Sequence, residues 1–294
     1  MRTRTFFLGL AVTAGGMLGC GDTFVDPFVR DQGSFSVYGV LVSEGFTSPQ
    51  RVRVQVVRTL PDPPTDPDDP AAQLAADVSS IDLASGDSLA WHRREVVFED
   101  GTVGSVFEQQ FRPVPGRAYR VRVQRRTDGA TAFAEVIIPP VPQSSREDPV
   151  IVEGVRASQR IAWDTGRLEE ADVRYFVVDT SGRYVPFVLP YGIPEDGVFD
   201  LDFTRDAQRI RDRLTEMGYP IDEPLLFSRV EVSVLGTNET SWPDLPEGDG
   251  PAAQPGVFSN VTGGYGLVVA ASRGSASWKP AREAVIAAGF TPNY

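Results

Sequence analysis

The sequence predicts an all-β, mainly antiparallel protein built as two β-sandwich domains of immunoglobulin-like type, with one or two short helices. Three observations carry this. Short apolar stretches alternate with period two, as in Arg51-Val52-Arg53-Val54-Gln55-Val56 and Tyr119-Arg120-Val121-Arg122-Val123, the spacing of strands with one buried face. Turn residues such as Glu99-Asp100-Gly101-Thr102 and Asp128-Gly129 separate these stretches at short intervals, as antiparallel connections require. Helical spacing is confined to two short places, near 205–217 and 280–288.

Taken in order, Phe35 to Val42 is apolar and β-prone and opens the folded part, and 51–56 follows as its neighbour. Pro61 to Pro70 then interrupts with five prolines and four aspartates. Proline removes amide donors and the aspartates repel one another, so this reads as a solvated loop. The aspartate spacing lacks the glycine and closing glutamate of a calcium loop. Strand signals resume at Val78 to Leu83, Trp91 to Phe98, Val103 to Phe111, Tyr119 to Val123 and Thr131 to Ile138. Seven or so short strands with turns between them indicate a sandwich over 34–142.

Pro139, Pro140 and Pro142, followed by polar residues to Asp148, read as a domain boundary. The second domain, 149–294, opens with strands near Arg160 to Trp163, Val173 to Asp179, Tyr184 to Leu189 and Val198 to Phe203. Next comes a helix near 205–217, with Thr204 as N-cap and Ala207, Ile210, Leu214 and Met217 on one face. Its arginines alternate with Asp206, Asp212 and Glu216, the make-up of a solvated face. Leu225 to Gly236 is a long strand, Trp242 to Gly256 a polar loop, Tyr265 to Ala271 a last strand, and Pro280 to Ala288 a short helix closed by Gly289.

The N-terminus predicts location. Arg2 and Arg4 precede an apolar run from Phe6 to Leu18, as in an export signal over 1–19. The run is shorter than the roughly 20 residues a spanning helix needs. It ends at Met17-Leu18-Gly19-Cys20, and Cys20 is the single cysteine of the chain. That arrangement resembles a bacterial lipobox, in which the thiol is acylated with palmitate-class chains and the peptide is cut just before it. Residues 20–33 are then a lipidated tether. Each buried methylene contributes about 0.8 kcal/mol, so two or three chains hold a domain on a membrane. Gly21 is not the aspartate that retains lipoproteins at the inner membrane, which favours the outer membrane.

Removing Arg2 and Arg4 moves the formal charge from −12 to −14. An acidic chain without a basic run has no footprint for nucleic acid. A single cysteine excludes internal disulfides. With His92 the single histidine, zinc sites built from His and Cys are excluded by count, and no Gly-x-Ser-x-Gly elbow accompanies it. No cofactor or metal is implied and no catalytic residue is singled out. The 40 acidic residues always offer some carboxylate pair, but spacing selects none. Trp91 and Trp163 lie in strand patterns and read as core, whereas Trp242, in the Pro-rich loop, is the candidate for a ligand or partner contact.

Gly256-Val257-Phe258-Ser259-Asn260-Val261-Thr262-Gly263-Gly264-Tyr265-Gly266-Leu267-Val268 carries a resemblance, joined by Phe35-Ser36-Val37-Tyr38-Gly39-Val40-Leu41, Pro115-Gly116-Arg117-Ala118-Tyr119 and Val136-Ile137-Ile138-Pro139. Together they resemble the envelope lipoproteins called domain of unknown function 4249. The resemblance implies a Gram-negative envelope lipoprotein, often encoded near TonB-dependent receptors, with no assigned activity. Physically, Gly263, Gly264 and Gly266 permit positive φ or close backbone approach. With no Lys-Ser/Thr pair or helix following, the run reads as a structural turn rather than a phosphate cradle.

The expected function is that of a membrane-anchored, non-enzymatic accessory or ligand-binding protein beside an outer-membrane transporter, with a TonB-dependent receptor as partner. A carboxylate-dependent surface hydrolase is the alternative. A structural or adhesive envelope module is a third, with 61–70 and 242–256 as contact loops.

Overall fold

A computed structural model describes residues 35–56, 65–66, 74–99, 101–152, 156–164, 166–178, 184–218, 225–238, 240–241 and 259–294. Cys20, the tether, Trp242 and both long polar loops, apart from Thr65 and Asp66, lie outside the described residues. Among the described residues no helix is long and apolar enough to cross a membrane.

The chain is mainly antiparallel β-structure, packed sheet against sheet. The first half supplies β1 (Phe35–Ser43), β2 (Ser48–Val56), β3 (Ala76–Asp82), β4 (Ser88–Ala90), β5 (His92–Val97), β6 (Val103–Phe111), β7 (Ala118–Arg125) and β8 (Thr131–Ile137). Period two does what it predicts. In β2, Val52 and Val54 point inward with Arg51 outward, and in β7 Tyr119, Val121 and Val123 are buried.

The second half adds β9 (Gln143–Arg146), β10 (Val150–Val152), β11 (Arg156–Asp164), β12 (Arg167–Val178), β13 (Tyr184–Leu189) and β14 (Val198–Asp202). Helix α1 (Phe203–Glu216), β15 (Leu226–Thr237), β16 (Val261–Thr262), β17 (Tyr265–Trp278), α2 (Arg282–Ala287) and β18 (Thr291–Pro292) complete it.

One nine-stranded sheet, in the order β13-β12-β15-β17-β1-β2-β6-β5 with β18 beside β15, runs through both halves. A five-stranded sheet, β16-β8-β7-β3-β4, shares the first core with it, where Phe35, Val54, Phe107, Val121 and Ile138 meet. A four-stranded sheet, β10-β11-β14 with β9 on β11, closes the second core with α1 and α2 around Ile161, Tyr175, Leu201, Ile210 and Phe227. Each such side chain contributes about 1.5–3 kcal/mol when fully buried.

One core draws on residues from Phe35 to Ile138 and the other on residues from Ala157 to Phe290, but Val261, Val268 and Ala270 return to the first. The device is β17, which is twice as long as its apolar signal. Its first half pairs in parallel with β1, from Ser36↔Tyr265 to Ser43↔Ser272, and its second half pairs antiparallel with β15. The proline segment lies against it: the Ser272 hydroxyl donates to the Pro139 carbonyl at 2.6 Å, and a Cβ on Gly274 would meet the Pro142 oxygen at 2.7 Å. The polar residues expected as linker include β9, which pairs with β11.

Two local expectations are corrected. Helix α1 begins at Phe203, and its N-cap is Asp202, whose Oδ1 accepts from the Arg205 N–H at 3.0 Å. Thr204 instead accepts from the Ala157 N–H at 2.9 Å, tying helix to β11. Met217 is exposed, and the buried stripe is Phe203, Asp206, Ala207, Ile210 and Leu214. At the far end, Lys279, the chain's single lysine, lies 5.1 Å from the Tyr294 ring centroid, and the Tyr294 hydroxyl donates to the Pro280 carbonyl at 2.5 Å.

Candidate functional site

The first sandwich has an open edge where the chain changes sheets. β4 belongs to the five-stranded sheet and β5 to the nine-stranded one, so Trp91 alone makes the crossing. Its ring turns inward, 6% exposed, and its indole N–H donates to Ser80 Oγ at 3.0 Å. The Phe111 ring lies edge-on at 6.1 Å, and Tyr119 lies 5.9 Å beyond Phe111. A row of rings therefore runs between the sheets. The spacing favours edge-to-face contact, worth about 0.5–1.5 kcal/mol per pair beyond burial.

Hollows open on both sides of this row. One, of about 460 Å3, has Leu74, Asp77, Trp91, Arg93 and Arg126 in its walls, and the Asp77–Arg126 pair at 2.6 Å occupies its charges. The other, of about 430 Å3, has Phe111 and Tyr119 in its depth and Asp82, Asp87, Ser88 and Arg112 around it. The turn after β3 shapes it. Asp82 Oδ1 accepts from the Ala84 N–H at 2.9 Å, and its Oδ2 accepts from Arg117 at 2.7 Å. The Arg117 hydrogen bond, then the backbone N–H groups of Ala84 and Ser85, hold the Asp82 carboxyl below its usual range. Asp82 is thus a carboxylate at neutral pH and a poor proton donor. Asp87 accepts from the Ser85 hydroxyl at 2.7 Å. Tyr119 accepts from the Val114 N–H at 3.1 Å.

A second polar cluster is buried in the other core. Asp206, fully buried, accepts on Oδ2 from the Tyr175 hydroxyl at 2.6 Å and from the Tyr191 hydroxyl. Arg205 and Arg209 approach its Oδ1 at 3.5 and 3.8 Å. Burial first, then the Asp206 charge among its neighbours, pushes the Tyr191 hydroxyl well above its ordinary value, and burial does the same for Tyr175. Both phenols are therefore fixed as donors. The arrangement ties the first turn of α1 to β12 and serves packing, not proton transfer.

The residues singled out from sequence fall as follows. Trp91 and Trp163 are buried core, each 6% exposed. His92 is exposed on edge strand β5, in register with Glu108. Gly263 and Gly266 have φ of 72° and 114°, and Cβ atoms on Gly263, Gly264 and Gly266 would lie 2.5, 2.6 and 2.1 Å from the carbonyl oxygens of Thr131, Phe35 and Val37. Carbonyls facing the turn repel a phosphate, so it is a packing device. Asn260 locks it, donating to and accepting from the Val268 backbone. Among the described residues no group of three or more His, Cys, Asp or Glu side chains is placed to hold a metal ion. No local pattern in the sequence marks the cleft, because its walls combine β3, β4 and their turn with the end of β6, Arg112 and the start of β7.

No protein-family model matches the chain, and no curated protein sequence is similar to it. Among solved structures it is similar to bovine butyrophilin, at 13% identity over 68% of this chain and 91% of that one, with a TM-score of 0.19. It is also similar to titin domains Z1Z2 in complex with telethonin, at 12% identity over 82% and 90%, with a TM-score of 0.20.

Proposed function

We propose that the chain is an envelope lipoprotein, a non-enzymatic binding module held on the outer membrane by acyl chains on Cys20. The observation that carries this is Arg2, Arg4, the apolar run and Leu18-Gly19-Cys20 at the head of the sequence. The resemblance to domain of unknown function 4249 supports an accessory role beside a TonB-dependent receptor. A rigid sandwich edge with a polar-lipped cleft suits binding. Asp82 and Asp87 share that cleft, which is what a carboxylate hydrolase would need, but its acid must hold a proton near neutral pH, and Asp82 is pushed the other way.

The test is acyl labelling with fractionation, followed by in-cell photo-crosslinking and pull-down from solubilised membranes, run beside Cys20→Ala. Labelling and recovery of a β-barrel receptor, both lost in the variant, is the expected result. Unchanged labelling would remove the anchor, and recovery of no receptor would remove the transporter association.

A further inference from the structure

The cleft beside Phe111 holds two groups of opposite charge, Arg112 and Asp87, neither of them in an ion pair among the described residues. Arg112 has neither a hydrogen bond nor an ion pair among the described residues. Asp87 has the Ser85 hydroxyl alone on its carboxylate. Many other arginines are paired: Arg51 and Arg94 with Glu108, Arg117 with Asp82, Arg120 with Glu135, Arg126 with Asp77 and Arg273 with Glu44 and Glu170. Arg112 differs from those pairs in lining a cleft with its guanidinium unengaged.

Hydroxyls and apolar surface complete the lining. Ser80 accepts from Trp91 and Tyr119 accepts from Val114, so each retains an O–H proton to donate. Ser88 is exposed. Leu89 is 41% exposed and Phe111 half-buried, offering apolar surface between the polar groups.

We propose that this cleft binds one neutral pyranose ring of a glycan, its C–H face on Phe111 and Leu89 and its hydroxyls between Arg112 and Asp87. The charges of Asp82, Asp87, Arg112 and Arg117 cancel, so the cleft selects neither a net anion nor a net cation. A sugar hydroxyl donates and accepts at once, and so serves both free charges without adding one. The cleft volume falls in the roughly 300–1,000 Å3 range of small-molecule sites. A zwitterionic amino acid would match the two charges but leave the three lining hydroxyls unused. The inference rests on the binding-module reading above and not on the lipid anchor.

The experiment uses the full chain purified in detergent, with saturation-transfer NMR and calorimetric titration of maltohexaose, cellohexaose and xylohexaose, and free leucine as the zwitterionic comparison. The expected result is binding of at least one glycan, weakened by at least about tenfold in Arg112→Ala and in Asp87→Ala, with unchanged melting temperatures. Binding of none of the glycans, an affinity that neither variant moves, or binding of leucine in their place overturns it. Acyl labelling of the same preparation keeps the two readings separable. Glycan binding without labelling sinks the anchor alone, and labelling with receptor capture but no glycan binding sinks the sugar site alone.

Discussion

Asp206 shows how a single residue can be misjudged by its neighbours. Flanked by Arg205 and Arg209, it reads as one charge on a solvated helix face, yet it is fully buried between two tyrosine hydroxyls. The information was present: Asp206 follows Phe203 by three and precedes Ile210 by four, which places it on the apolar stripe. What sequence could not supply was the pair of donors on other segments. Tyr175→Phe should cost about 1–3 kcal/mol, because it leaves a buried carboxylate short of a donor, as measured by urea denaturation. The phenols also set an alkaline limit. Their folded-state values are raised above the ordinary 10.0, so the folded chain holds protons that the unfolded chain releases. Stability is therefore full below about pH 10 and falls as pH rises beyond it. In Tyr191→Phe that decline should be shallower in a pH series of melting temperatures, and an unaltered slope would show that Tyr191 is not a source of it.

At the scale of elements, nearly every strand in the first half was legible, because alternation survives wherever one face is buried. Two features were not. Trp91 reads as the first residue of a strand over 91–98, whereas it is the crossing between two sheets, and no local pattern distinguishes a strand from a corner. The second half of β17, Ser272-Arg273-Gly274-Ser275-Ala276-Ser277, has no large apolar residue before the closing Trp278, because Pro142 of the proline segment, with the Trp163 ring, lies against it at Gly274. Where backbone replaces side chain as the packing partner, hydrophobic periodicity is silent. The same principle governs the glycine turn before β17. Gly266→Ala places a Cβ 2.1 Å from the Val37 oxygen at a φ of 114°. Backbone strain of that kind costs about 1–3 kcal/mol before the clash is counted. We expect the variant to melt lower and its β1 amides to lose hydrogen-exchange protection, and native protection there would contradict the role assigned to the turn.

For the molecule as a whole, the sequence divides at the prolines while the hydrogen bonding does not. Because β17 belongs to both cores, neither sandwich closes without it. Ile138→Ala in the first core and Ile210→Ala in the second, both fully buried sites, should each cost about 2–5 kcal/mol. Both should shift one shared denaturation midpoint, whereas two separate transitions, each moved by one variant, would mean independent units. The composition of the surface adds a practical consequence. With arginine as the basic residue nearly everywhere, the amine of Lys279, beside the chain end and over the Tyr294 ring, is the sole lysine amine. Amine-directed reagents will therefore label the side chains at one address. A dye or spin label placed there reports distances from a defined corner without mutagenesis, and a partner docked far from it will be missed by any lysine-based mapping.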